Sequence, residues 1–264
     1  MDRQSTIEKR VYIEGVGLHT GKKVKMEFMP LPVNTGILFV RKDLNPSVTI
    51  KASFYSVLNP EVYPRRTSVG EKGVYVHTIE HLMAALHLLG IDNIQINIWG
   101  EEIPGMDGSA KGFVEKLQEA AIITQDSPRH YFVIKEPFCV QENDSSIVAI
   151  PYPHTRISYT LKYDNPVIST GYFDLVLNGD ISNRIYEART FCLEEEVEPL
   201  IKMGLGKGSN YENTLVVSKK EVLENKVRFP DEFVKHKVLD LLGDLYLAGP
   251  IKGHIIALRS GHNL

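Results

Sequence analysis

The segment His77-Thr78-Ile79-Glu80-His81 puts one carboxylate and two imidazoles within a single helical turn and a half. These are the side chains that hold divalent metals or move protons near neutral pH. The segment opens an apolar run that ends at Gly90, with Ile79, Leu82, Met83, Leu86 and Leu89 at helical spacing. Thr78 is the expected N-cap and Gly90 the residue just past the end. At about 100° per residue, Glu80 and His81 fall away from the apolar stripe, with His77 on their side. The group is a metal or acid–base site, or else a solvated helix face of the ordinary kind.

A second group lies on a predicted helix from about Asp231 to Ala248, stopped by Gly249-Pro250. Val234, Val238, Leu241, Leu242 and Leu245 form its core stripe. His236, Asp240 and Asp244 are spaced four apart on the other flank, with Lys237 beside them. A His–Asp pair at this spacing can chelate one cation, or it can be a surface salt link. If the two helices meet face to face, His81 and Glu80 come up to His236 and Asp240. Three N/O ligands with one position left open is the arrangement of catalytic zinc. The helix N-terminus also favours an ionised Glu80. A competing pattern is H-x-x-E-H, in which His77 and His81 would bind zinc and Glu80 would be the base of an inverzincin-type metallopeptidase.

Composition narrows the classes. The 264 residues suit one large domain or two ordinary ones, and 43% hydrophobic with 24% charged residues supports a real core. A net charge of −3 without blocks of like charge gives no nucleic-acid or membrane footprint. Cys139 and Cys192 are too few for a disulfide framework and read as buried thiols, so a cytoplasmic location is expected. The N-terminus lacks the apolar core of a secretory signal, and the stretch from Leu82 to Leu89 is far too short for a transmembrane segment.

Alternating and β-rich stretches predict short strands at residues 11–13, 24–28, 37–41, 48–52, a pair within 67–76, and 93–99. Gly15 to Gly21 reads as a hairpin loop. A helix is expected from Ala110 to about Ile122, then a polar linker from Thr124 to His130. Further strands are expected at 131–134, 138–141, 146–150, 157–163 and 171–176, then a short helix at 194–203, a glycine loop from Gly204 to Gly208, and strands at 215–217 and 255–258. Both halves are strand-rich with a helix after the strands, which suggests two α+β domains of like plan. Gly204 to Gly208 could cradle phosphate or simply join the insert to its strand. His87 reads as structural, and His130, His154 and His254 have no partner at ligand spacing.

Six motifs stand in order along the chain. They are Gly15-Val16-Gly17-Leu18-His19-Thr20-Gly21, Thr78-Ile79-Glu80-His81-Leu82, Glu102-Ile103-Pro104-Gly105-Met106-Asp107-Gly108-Ser109, Ala188-Arg189-Thr190-Phe191, His236-Lys237-Val238-Leu239-Asp240 and Ser260-Gly261-His262. Over almost the whole chain this pattern resembles the UDP-3-O-acyl-N-acetylglucosamine deacetylases, zinc amidases of lipid A synthesis in Gram-negative bacteria. The resemblance implies an α+β fold of two similar β-α-α-β domains, 1–126 and 127–264, with their helices sandwiched between the sheets. Each domain carries an insert, the second at about 184–214. It implies one Zn2+ held by His81, His236 and Asp240, with Glu80 as general base and His262 as the second acid–base residue. Thr190 would steady the developing oxyanion, and Asp244 would orient His262. Lys237 and His19 would line the polar end of the site, with Tyr163 and Glu196 near the nucleotide and sugar. Phe191 and Leu18 would flank the mouth of an apolar channel for the fatty-acyl chain, lined by Val197, Leu200, Ile201, Met203 and Leu205. His77 would not be a ligand, and the acting form is expected to be a monomer. The family usually continues into a C-terminal helix beyond the position of Leu264, and a basic contact it uses near residues 140–151 has no lysine here.

Overall fold

Hairpin-forming sequence dominates each half, and the hairpins build the same sheet twice. The computed structural model describes residues 2–179 and 183–262. In the first half, the hairpins Val11–Val16/Lys23–Pro30 and Ile37–Arg41/Val48–Lys51 leave a gap between them. Helix α1, Glu80–Leu88, follows, and strand Ile94–Trp99 then fills the gap. That strand is antiparallel to Lys23–Pro30 and parallel to Ile37–Arg41. Its Ile94, Ile96 and Ile98 are fully buried, as the alternation predicts.

The second half repeats the plan. Hairpins Phe138–Glu142/Ser145–Ile150 and Thr155–Leu161/Gly171–Leu177 flank a central strand, Ile251–Leu258. This strand is antiparallel to one neighbour and parallel to the other, and it follows a long helix, Glu232–Leu245. The remaining helices differ in order. In the first half α2, Lys111–Glu119, comes after the central strand. In the second half α3, Glu194–Lys202, lies in the insert before the long helix, which is therefore α4. Among the described residues no helix is long and apolar enough to cross a membrane.

Helices α1 and α4 pack against each other, and α4 also packs on strands Thr155–Leu161 and Gly171–Leu177 of its own sheet. Leu82, Met83 and Leu86 of α1 and Val238, Leu239 and Leu242 of α4 are fully buried. The closest approach is at Gly243, where a Cβ would sit 2.0 Å from the Glu80 carbonyl oxygen. A glycine inside a helix costs about 1 kcal/mol relative to alanine. Here it lets the two backbones touch three residues past Asp240 and one before His81. His87 reinforces the crossing, because its ring stacks on Tyr246 at 4.2 Å and its Nδ1 lies 3.2 Å from the Leu242 carbonyl oxygen. Burial pushes its pKa down to about 3, so it is neutral and structural.

Several elements depart from expectation. Thr78 does not cap α1, since its hydroxyl donates to Glu102 Oε1 (2.8 Å) and its φ is 63°. Residues 124–128 are not a linker, because Ile122–Pro128 pairs with Arg3–Ile7. That pairing was hidden by polar inward side chains. Gln4 donates to Asn34, and Thr6 donates to the Asn93 carbonyl. Cys139 is exposed on a strand at the sheet edge rather than buried.

Candidate active site

The crossing of α1 and α4 converts two helix flanks into one buried cluster. His81 Nε2 lies 3.3 Å from Asp240 Oδ1, and His236 Nε2 lies 3.3 Å from Asp240 Oδ2. One ligand atom from each of the three residues lies within 4.8 Å of the others. Tetrahedral zinc, with ligand distances of about 2.0–2.1 Å, holds neighbouring donors roughly 3.3 Å apart. Two imidazoles and one carboxylate at this spacing fit such a cation. Among the described residues no other trio of His, Cys, Asp or Glu does.

The electrostatics favour the metal-ready form in two of the three donors; at His81 burial opposes charge, but Asp240 outweighs it and raises the pKa, so an ion would displace that proton. Burial pushes His236 down to about 3, so its ring is neutral. Burial opposes ionisation of Asp240, but the Lys237 ammonium and the hydrogen bond from His81 hold its carboxyl well below the usual carboxylate range. Lys237 is itself buried and donates from Nζ to Asp240 Oδ2 at 2.8 Å. Burial opposes its charge, yet Asp240 outweighs burial and raises its pKa.

Glu80 is 5% exposed, so the solvated-face alternative does not hold. Its Oε2 accepts the Thr67 N–H at 2.9 Å. Burial raises its pKa, against the pull of His262 and His81. That suits a proton acceptor. His262 Nδ1 lies 2.8 Å from Asp244 Oδ2. Burial opposes its charge, but Asp244 outweighs burial and lifts the imidazolium to about 9. His262 Nε2 lies 4.0 Å from Asp240 Oδ2, which aims that nitrogen at the cluster.

His77 does not join them. Its Nδ1 is 2.8 Å from Ser68 Oγ, its ring packs 4.8 Å from Tyr75, and burial lowers it to about 4. The residues that match the peptidase pattern are therefore divided, and only Glu80 and His81 reach the site.

A cavity of about 620 Å³ opens from the cluster. Glu80, His81, His236, Lys237, Asp240 and His262 line its polar end, together with His19, Thr190 and Tyr163. Leu18, Phe191, Val197, Leu200, Ile201 and Leu205 line its apolar side. Phe191 links the two, with its ring 5.6 Å from both Tyr163 and His236. Met203 is 59% exposed and is not part of the wall. Glu196 is not in the wall either; its carboxylate pairs with Arg65 and accepts the Leu193 N–H at 3.0 Å. Cys192 lines the cavity, and burial raises its thiol to about 11.

Some residues that build the site had no role assigned from the sequence. Arg189 and Glu232 form a buried ion pair, Nε to Oε1 at 2.8 Å, which pins the segment leading into Thr190 to the start of α4. The Thr190 N–H donates to the Gly108 carbonyl at 2.8 Å. Gly108 has φ 81°, and a Cβ there would fall 1.7 Å from the Asn213 carbonyl oxygen, so glycine alone allows this approach. Glu102 accepts the backbone N–H groups of His19 (2.9 Å) and Thr20 (2.7 Å) and fixes the Gly15–Gly21 loop. The Gly204–Gly208 loop is a clasp rather than a phosphate cradle. Its Lys207 and Gly208 N–H groups donate to the carbonyls of His19 (3.2 Å) and Leu18 (3.0 Å).

A two-sheet α+β scaffold with a buried His–His–Asp cluster, flanked by a carboxylate and a His–Asp pair, defines a protein with a candidate metal centre equipped for proton transfer. A model of one family, LpxC or UDP-3-O-acyl N-acetylglycosamine deacetylase, matches residues 4–264. Among curated proteins, a UDP-3-O-acyl-N-acetylglucosamine deacetylase of Myxococcus xanthus is 41% identical over 264 residues, covering 99% of this chain and 83% of that one. One of Saccharophagus degradans is 40% identical over 269 residues, covering 100% and 88%. One of Acidithiobacillus ferrooxidans is 39% identical, also covering 100% and 88%. The chain belongs to the UDP-3-O-acyl N-acetylglycosamine deacetylase family.

Proposed function

We propose that the protein is a zinc-dependent amide hydrolase. It removes the N-acetyl group of UDP-3-O-acyl-N-acetylglucosamine, giving acetate and UDP-3-O-acyl-glucosamine, the committed step of lipid A biosynthesis. The observation that carries this is the clustering of His81, His236 and Asp240 at the polar end of a cavity that Glu80 and His262 also line. His81, His236 and Asp240 would hold the ion, which supplies Lewis acidity and acidifies water when bound.

The chain's own groups do the rest. Glu80 takes the proton of the attacking water. The Thr190 hydroxyl donates to the oxyanion, and losing such a donor costs about 10²-fold or more in rate. His262, held cationic by Asp244, protonates the departing amine from Nε2. Lys237 and His19 face the polar part of the sugar nucleotide. The wall from Leu18 and Phe191 to Ile201 and Leu205 takes the acyl chain, at about 0.8 kcal/mol per buried methylene. The halves 1–126 and 127–264 act as two domains with the site at their interface. The acting form is a cytoplasmic monomer.

The test is incubation of the purified protein with the acylated UDP-sugar. Acetate and free amine should appear in equal amounts, stop on chelation and resume with zinc. No acetate from the zinc-loaded protein would contradict the proposal.

A further inference from the structure

Thr67 belongs to neither helix and to no motif, yet it touches both Glu80 and the His262–Asp244 pair. It is 7% exposed and sits just before strand Ser68–Glu71. Its N–H donates to Glu80 Oε2 at 2.9 Å, and its carbonyl accepts the Ile79 N–H at 3.1 Å. Its hydroxyl donates to Asp244 Oδ1. The same oxygen lies 3.2 Å from His262 Nδ1. A hydroxyl has one proton and two lone pairs. With the proton committed to Asp244, the oxygen faces His262 as an acceptor. His262 Nδ1 therefore meets two acceptors, Asp244 Oδ2 at 2.8 Å and Thr67 Oγ1. Both hold the proton on Nδ1 and leave Nε2 toward the cavity.

We infer that Thr67 is a positioning residue that ties the base Glu80 to the His262–Asp244 pair, setting both proton-handling groups in one frame. The inference rests on the deacetylase function proposed above and adds a residue to its machinery. Thr67→Val keeps the shape and the N–H donor to Glu80 but removes the hydroxyl. Loss of an orienting partner of this kind typically costs about 10- to 100-fold in activity.

The experiment measures steady-state kinetics, thermal melting and the His262 Nδ1–H proton resonance in the zinc-loaded enzyme. Thr67→Val should lower kcat about 10- to 100-fold while KM and the melting temperature stay near wild type. Thr67→Ser should recover most of the loss. On top of Asp244→Asn, Thr67→Val should add almost nothing, since the two act through one bond network. The Nδ1–H resonance should move in Thr67→Val and return in Thr67→Ser. A wild-type kcat in Thr67→Val, full additivity with Asp244→Asn, or a loss confined to KM or melting would overturn the inference. Should the wild type release no acetate, the function fails by itself; the resonance then decides, a shift supporting the tie and an unmoved signal overturning it.

Discussion

Replacing Glu80 by Gln should lower acetate release by about 10²- to 10⁴-fold or more, the range for loss of a general base, while metal and substrate remain bound. The substitution is nearly isosteric, and the amide oxygen can still accept the Thr67 N–H that now holds Oε2. Only the ability to take a proton is removed. Glu80 is not one of the three clustered donors, so the cation keeps its ligands. Metal content by elemental analysis and substrate affinity by calorimetry should match wild type. Turnover within tenfold of wild type would show that another group abstracts the proton. Loss of the metal would show that Glu80 belongs to the donor set.

Removing His262 should cost a comparable factor, about 10²- to 10⁴-fold, and its partner Asp244 should set the pH at which activity fails. The acid must be protonated to serve the leaving amine, so activity is lost as pH rises through the His262 pKa. Burial pulls that pKa down, and Asp244 lifts it to about 9. Asp244→Asn removes the largest lifting charge and leaves only Asp240 and Glu80 against burial. The alkaline limb of the kcat profile should therefore move toward lower pH, while the acid limb, set by Glu80, moves far less. An unshifted alkaline limb in Asp244→Asn would contradict the assignment of His262 as the acid.

The parts of the fold carried by periodic apolar residues were legible in the sequence. Helix α4 shows its stripe at Val234, Val238, Leu241, Leu242 and Leu245, and the central strand shows Ile94, Ile96 and Ile98. The clustered trio was legible because His236 and Asp240 are one turn apart and His81 adjoins Glu80. What was not legible is set by contacts between distant segments. Nothing local in Gly243 announces that a methyl there would strike the Glu80 carbonyl. Thr67, Glu102 and Arg189 act through partners 13 to 195 residues away. Thr78 looked like a cap because a hydroxyl before a helix usually is one, but Glu102 takes its proton. The strand Arg3–Ile7 was missed because its inward side chains are polar and bonded, so no hydrophobic alternation marks it. The five-residue match to a peptidase pattern was misleading for a geometric reason. His77 ends a strand, and the backbone turns at Thr78 before α1 begins, so His77 and His81 do not share a helix face.

The most direct measurement of the central claim is metal stoichiometry in a substitution series. Wild type and His77→Ala should each bind one equivalent of zinc tightly, while His81→Ala, His236→Ala and Asp240→Ala should each lose it and lose turnover with it. Zinc retained at full occupancy in both His236→Ala and Asp240→Ala, or zinc lost in His77→Ala from a folded protein, would contradict a cation held between the two helices.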